Sequence, residues 1–141
     1  MSVPHRLDRV LTVLREHGSR ITRPRRAIVR ALVEIGEHPT ADQLADAAKE
    51  IEPSVNRSTV YRFLDELERM GIVDHTHLGH GPSVYHFAED DHQHLVCVEC
   101  GLVTEIPGHT IDTLRAQVRS TFDFDVDGRH FALVGRCSSC C

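Results

Sequence analysis

The sequence predicts an α+β chain of two modules: four helices closed by a β-hairpin over residues 1–88, then a small α/β module over residues 89–141 organised by four cysteines. Three observations predict it. Apolar residues recur at helical spacing four times before residue 72, each run bracketed by a capping residue or a glycine. Behind that point short apolar alternations separated by turn residues take over. The cysteines all lie in this rear part, in two tight groups, Cys97/Cys100 and Cys137/Cys140/Cys141.

Leu7, Val10, Leu11 and Leu14 share the face of a first helix, and Gly18 supplies its stop. Thr22 before Pro24 opens a second, whose apolar face of Ala27, Ile28, Ala31, Leu32 and Ile35 ends at Gly36. Thr40 and Gln43 form a capping box for a third helix, which carries Leu44, Ala47, Ala48 and Ile51 and stops before Pro53. Asn56 caps a fourth, with Val60, Phe63, Leu64, Leu67 and Met70 facing inward and Gly71 at its end. Ile72 to His77, the glycine-rich loop Leu78-Gly79-His80-Gly81-Pro82 and Val84 to Phe87 read as a hairpin. A helix-turn-helix followed by such a hairpin is a winged helix. In the rear module Leu95 to Val98 and Leu102 to Ile106 are expected as strands folded over the Cys97/Cys100 turn. Thr110 is expected to cap a helix with Ile111, Leu114 and Val118, and Phe122 to Val126 and Phe131 to Val134 to form strands about an Asp127-Gly128 turn.

Net charge is −5, but it is unevenly spread. The first thirty residues carry Arg6, Arg9, Arg15, Arg20, Arg23, Arg25, Arg26 and Arg30 against only Asp8 and Glu16. From residue 75 onward Glu89, Asp90, Asp91, Glu99, Glu105, Asp112, Asp123, Asp125 and Asp127 outnumber four arginines, and eight of the eleven histidines lie there too. The front is suited to phosphate and the rear to cations. No apolar run reaches the roughly 20 residues that span a bilayer, and the opening MSVPHRLDRV lacks the apolar stretch of a secretion signal. A cytoplasmic protein with no membrane partner is expected. Thiols stay reduced in that compartment, so clustered cysteines read as metal ligands before disulfides.

Cys97-Val98-Glu99-Cys100 and Cys137-Ser138-Ser139-Cys140 are two C-x-x-C pairs, and four thiolates close a tetrahedral shell around a structural zinc ion. Cys141 is left over. A second group comprises His86, Asp90, Asp91, His92, Gln93, His94 and Glu105. In an extended segment His92 and His94 fall on one side, and imidazoles with a carboxylate suit zinc, nickel or iron(II). At the start of the fourth helix Arg57, Ser58, Thr59, Tyr61 and Arg62 are placed to meet base edges and phosphates, with Arg20 among the upstream arginines that reinforce a DNA partner. The predicted architecture is thus an N-terminal winged-helix DNA-binding domain and a C-terminal α/β domain with a four-cysteine zinc site.

Arg20-Ile21-Thr22-Arg23-Pro24-Arg25, Ser58-Thr59-Val60-Tyr61-Arg62, Asp91-His92-Gln93-His94-Leu95-Val96-Cys97-Val98-Glu99-Cys100-Gly101 and the final C-x-x-C together resemble the ferric uptake regulator family over almost the whole chain. The resemblance implies a homodimeric repressor that binds a palindromic operator in double-stranded DNA when a regulatory metal is loaded, with residues 89–141 as the dimerisation domain. It implies structural zinc on Cys97, Cys100, Cys137 and Cys140, and a sensor site on His38, His86, His92, His94 and Glu105, with Asp90 as the alternative to His86. Gln93 stands where a further family site has a stronger ligand. His75 and His77 of His75-Thr76-His77-Leu78-Gly79-His80-Gly81, with His130, resemble the nickel uptake regulator branch and imply an additional site, although Asp90 stands where that branch has a histidine. Nickel is accordingly the expected regulatory ion, before zinc, iron(II) or manganese. A zinc-, iron- or peroxide-responsive regulator of the same family is the alternative. The chief rival of another class is a zinc-dependent hydrolase using His86, His92 and His94 with Glu105 as base, but no H-E-x-x-H, G-x-S-x-G or phosphate-binding glycine loop accompanies them, and no organic substrate is expected. A zinc-ribbon interaction protein without a metal response is a second rival.

Overall fold

The computed structural model describes residues 2–36, 38–79, 81–129 and 132–141. Four helices lead the chain: α1 (Val3–Glu16), α2 (Arg23–Ile35), α3 (Ala41–Ile51) and α4 (Arg57–Arg69). The strands β1 (Val73–His77) and β2 (Ser83–Phe87) pair as a hairpin. There follow β3 (His92–Cys97), β4 (Val103–Pro107), a 3-10 turn (Gly108–Ile111), α5 (Asp112–Phe122) and β5 (Leu133–Gly135). Two compact units result: residues 1–74 with 84–88, and residues 75–83 with 89–141, so the hairpin tip groups with the second. None of the described helices is long and apolar enough to cross a membrane.

In the first unit α2, α3 and α4 begin on the residues their sequence patterns name. The Thr22 hydroxyl accepts from the Arg25 N–H at 3.3 Å, and Gly36 closes α2 at φ 66°, a left-handed conformation that costs a glycine little. Thr40 and Gln43 bond reciprocally, at 3.1 and 2.9 Å, as a complete capping box. These starts set the helix phases so that Leu11, Leu14, Ile28, Leu32, Leu44, Val60, Leu64 and Leu67 enter one core, joined by Phe87 from the end of β2. Burying each such side chain is worth roughly 1.5–3 kcal/mol. Arg25 ties α2 to α4: its guanidinium lies 2.7 Å from Glu66, donates to Ser19, and stacks 5.0 Å from the Phe63 ring centre.

The second unit is a three-stranded sheet of order β4-β3-β5. β3 and β4 are antiparallel, with His94 opposite Glu105 and His92 opposite Pro107, whereas β3 and β5 are parallel, with Cys97 opposite Gly135. Two sequence expectations fail here. Residues 122–126 are not a strand: α5 continues to Phe122, Asp123 closes it at φ 51°, and residues 123–127 carry no regular structure. The helix takes Phe122 into its last turn and ends on a left-handed Asp123, so the alternating pattern never becomes extended, and Phe122 and Phe124 stand exposed. Thr110 does not cap α5 either; it lies inside the 3-10 turn that feeds the helix.

Candidate metal centres and nucleic-acid interface

The Sγ atoms of Cys97, Cys100, Cys137 and Cys140 all lie within 4.8 Å of one another. Two tight turns put them there. After Cys97 the chain folds back through Gly101 at φ 74°, whose N–H donates to the Cys97 carbonyl at 2.9 Å; at the far end the Cys140 N–H donates to the Cys137 carbonyl at 2.9 Å. The parallel pairing of β3 with β5 delivers the second turn to the first. Cys100 and Cys137 are 3.7 Å apart at sulfur. That is far beyond a disulfide bond and close to the roughly 3.8 Å edge of a tetrahedron with ~2.3 Å metal–sulfur bonds. Charge is shared unequally among the thiols. The backbone N–H groups of Cys100 and Cys137 lower Cys97 to about 6, while the Cys140 S–H, donating to the Cys137 and Cys100 sulfurs, is pushed up to about 12. Cys97 is ready to ionise while Cys100 and Cys140 hold their protons until a cation compensates them, and four sulfurs so placed fit a tetrahedral zinc ion. Cys141 bonds instead to the Arg136 carbonyl at 3.6 Å.

The second predicted group is spread over both units. In the second unit, His92, His94 and Glu105 bring donor atoms within 4.8 Å of one another. Their proximity follows from the ladder: His92 and His94 share a face of β3, with ring centres 4.8 Å apart, and Glu105 is the cross-strand partner of His94. His94 is buried and His92 half-buried, so a hydrated cation would exchange water for imidazole there. In the first unit, His38 follows α2, and its ring lies 5.6 Å from that of His86 on β2. The His86 Nδ1–H donates to the Phe87 carbonyl at 3.1 Å, which leaves the lone pair on Nε2. Neutral imidazoles and a carboxylate fit a divalent transition metal.

Asp90, His75 and His77 join no group of three potential donors among the described residues. His75 and His77 do approach each other edge to face, ring centres 5.6 Å apart. His130 lies outside the described residues. Between the two β3 histidines, Gln93 is buried and donates from Nε2 to the Gly128 carbonyl at 2.8 Å, while the buried Thr76 hydroxyl donates to the Arg129 carbonyl at 3.2 Å. The turn at 127–129 is thereby latched by side chains whose role the sequence did not announce.

The start of α4 presents Arg57, Ser58, Tyr61 and Arg62 to solvent, with Thr59 half-buried; Arg20 is exposed ahead of α2. Asn56 organises the helix start. Its Oδ1 accepts from the Thr59 N–H at 2.9 Å, the Ser58 hydroxyl at 2.7 Å and the Thr59 hydroxyl at 3.0 Å. One participant was missed from sequence: Asp42 of α3 lies 3.6 Å from the Arg57 guanidinium and accepts from the Tyr61 hydroxyl at 3.3 Å. An exposed, basic and well-capped helix start in the second helix of a helix-turn-helix is suited to a major groove.

The model of the ferric uptake regulator family matches residues 16–133. The peroxide-responsive repressor PerR of Staphylococcus epidermidis is 31% identical over 139 residues, covering 99% of this chain and 93% of its own. Among solved structures, the ferric uptake regulator of Pseudomonas aeruginosa with manganese aligns at a TM-score of 0.70 and 28% identity, covering 89% of this chain and 95% of that one. The ferric uptake regulator of Helicobacter pylori shares the fold at a TM-score of 0.74 and 19% identity, over 99% of this chain and 94% of that one.

Proposed function

Because this chain belongs to the ferric uptake regulator family, we propose that it represses metal-uptake genes from a palindromic operator when a divalent metal, nickel foremost, loads a site on His38, His86, His92, His94 and Glu105. Membership itself makes it a metal-responsive transcription regulator that binds DNA as a dimer, not an enzyme. The observation that carries the proposal is the cross-strand triad of His92, His94 and Glu105, three donors in a unit separate from the helix that faces DNA.

Each unit has its own task in this reading. The winged helix, residues 1–88, contacts DNA through Arg20, Arg57, Ser58, Thr59, Tyr61 and Arg62; residues 89–141 dimerise, in keeping with the exposed Leu102, Leu114, Phe122 and Val134. Cys97, Cys100, Cys137 and Cys140 hold structural zinc and tie β5 to β3. When bound, the regulatory cation supplies Lewis acidity that imidazole and carboxylate share. His38 and His86 contribute from the DNA-binding domain and His92, His94 and Glu105 from the other, so their common engagement restricts how the domains turn about residues 88–91. A ligand shifts such an equilibrium only by its differential affinity, typically worth about 1–3 kcal/mol. His75, His77, His130 and Asp90 are the residues we assign to an additional nickel-favouring site. We place the protein in the cytoplasm.

Titrating zinc-replete protein with nickel, zinc, iron(II) and manganese, and measuring affinity for a palindromic duplex at fixed salt, tests the assignment. Nickel is expected to raise affinity at the lowest free concentration, and His38→Ala to abolish most of that response with zinc content unchanged. An unchanged response in His38→Ala refutes the sensor assignment. Peroxide response is the second reading, favoured by the 31% identity to a peroxide-responsive repressor. It predicts that iron(II)-loaded protein loses DNA affinity on brief peroxide exposure, while nickel-loaded protein does not.

A further inference from the structure

We propose that Asp42 sets the specificity of DNA recognition: it holds Arg57 and Tyr61 of α4 in one arrangement and penalises their use on duplexes that lack the operator sequence. The proposal rests on the reading that α4 meets DNA. Arg57 and Tyr61 are four residues apart, hence on one face of the helix. Asp42 reaches both from α3, its Oδ1 accepting from the Tyr61 hydroxyl at 3.3 Å and lying 3.6 Å from Arg57 Nη1. All three are open to solvent, with the Arg57 and Asp42 side chains 67% and 52% exposed and Tyr61 48%.

The first turn of α3 gives this carboxylate a modest helix-dipole stabilisation, which does not require it to face Arg57 and Tyr61. An exposed ion pair contributes little, and the start of α3 is already satisfied by the Thr40–Gln43 box. Its charge is unfavourable for attracting phosphate. What it does is orient. A guanidinium drawn to one side by a carboxylate 3.6 Å away loses less freedom on meeting a base edge, and the same holds for a phenol held at its hydroxyl. Against a random duplex no base contact repays the carboxylate for facing phosphates, so the electrostatic term that dominates non-specific binding is reduced. Both effects widen the gap between the operator and other DNA.

The test uses the full, metal-replete chain with two probes: a duplex selected by the wild-type protein from a random-sequence library, and a scrambled duplex of the same composition. Asp42→Asn is expected to raise affinity for the scrambled duplex about 3- to 10-fold, to steepen its salt dependence by about one unit of log–log slope, and to change the selected duplex by less than about 2-fold. Asp42→Glu, which keeps the charge, should hold the ratio near wild type. Asp42→Ser also removes the charge and should lower the ratio in the same direction, which decides the matter if Asp42→Asn folds poorly. A ratio unchanged in both Asp42→Asn and Asp42→Ser, or both duplexes weakened equally, overturns the proposal. A wild-type chain that enriches no duplex overturns the reading of α4 beneath it.

Discussion

Gln93 sits between two histidines of the proposed sensor, yet its amide is spent on the Gly128 carbonyl at 2.8 Å. Gly128 is half-buried, so water can reach its carbonyl once the amide is gone, and the loss is that of one hydrogen bond, about 0.5–1.5 kcal/mol. Gln93→Ala is therefore expected to lower stability by that amount in urea unfolding while the count of bound metal ions stays the same. A fall in metal stoichiometry would instead make Gln93 a ligand. The same scale shows what sequence can convey about a site. Cys97, Cys100, Cys137 and Cys140 were legible because C-x-x-C spacing is local and its chemistry narrow. Asp42 was not, since its value depends on a neighbouring helix bringing it within 3.6 Å of Arg57.

Asn56 illustrates how one residue governs an element, because three donors at the start of α4 converge on its side-chain oxygen. Replacing a cap of this kind by alanine costs about 0.5–2 kcal/mol. Asn56→Ala should lower the unfolding free energy by about that much and weaken DNA binding further, by fraying the turn that bears Arg57, Ser58 and Thr59. Serine or aspartate at the position should restore stability; failure to do so would mean that Asn56 acts through something other than the cap. The four helices were readable because apolar periodicity agrees with a capping residue at the start of α2, α3 and α4, and with a glycine or Pro53 at the end of each helix. The run at 122–126 deceived because Phe122, Phe124 and Val126 alternate like a strand, whereas α5 carries Phe122 in its last turn and ends on Asp123 in a left-handed conformation. The parallel ladder of β3 with β5 was unreadable for a related reason: it joins Leu95 to Leu133 across a helix, and nothing in either segment specifies the other.

On the scale of the whole molecule, β3 is the component on which both proposed metal sites depend. It bears His92 and His94 near its start and Cys97 at its end, and its antiparallel partner supplies Glu105. Cys97→Ser is expected to empty the zinc site and, in addition, to abolish the metal response of DNA binding although every sensor donor is intact. Retention of that response would show the two sites to be independent. The arrangement resembles a logical AND gate. A cell short of zinc, or one whose thiols have been oxidised, would disable the sensor whatever the level of the sensed metal, and genes under its control would open by default.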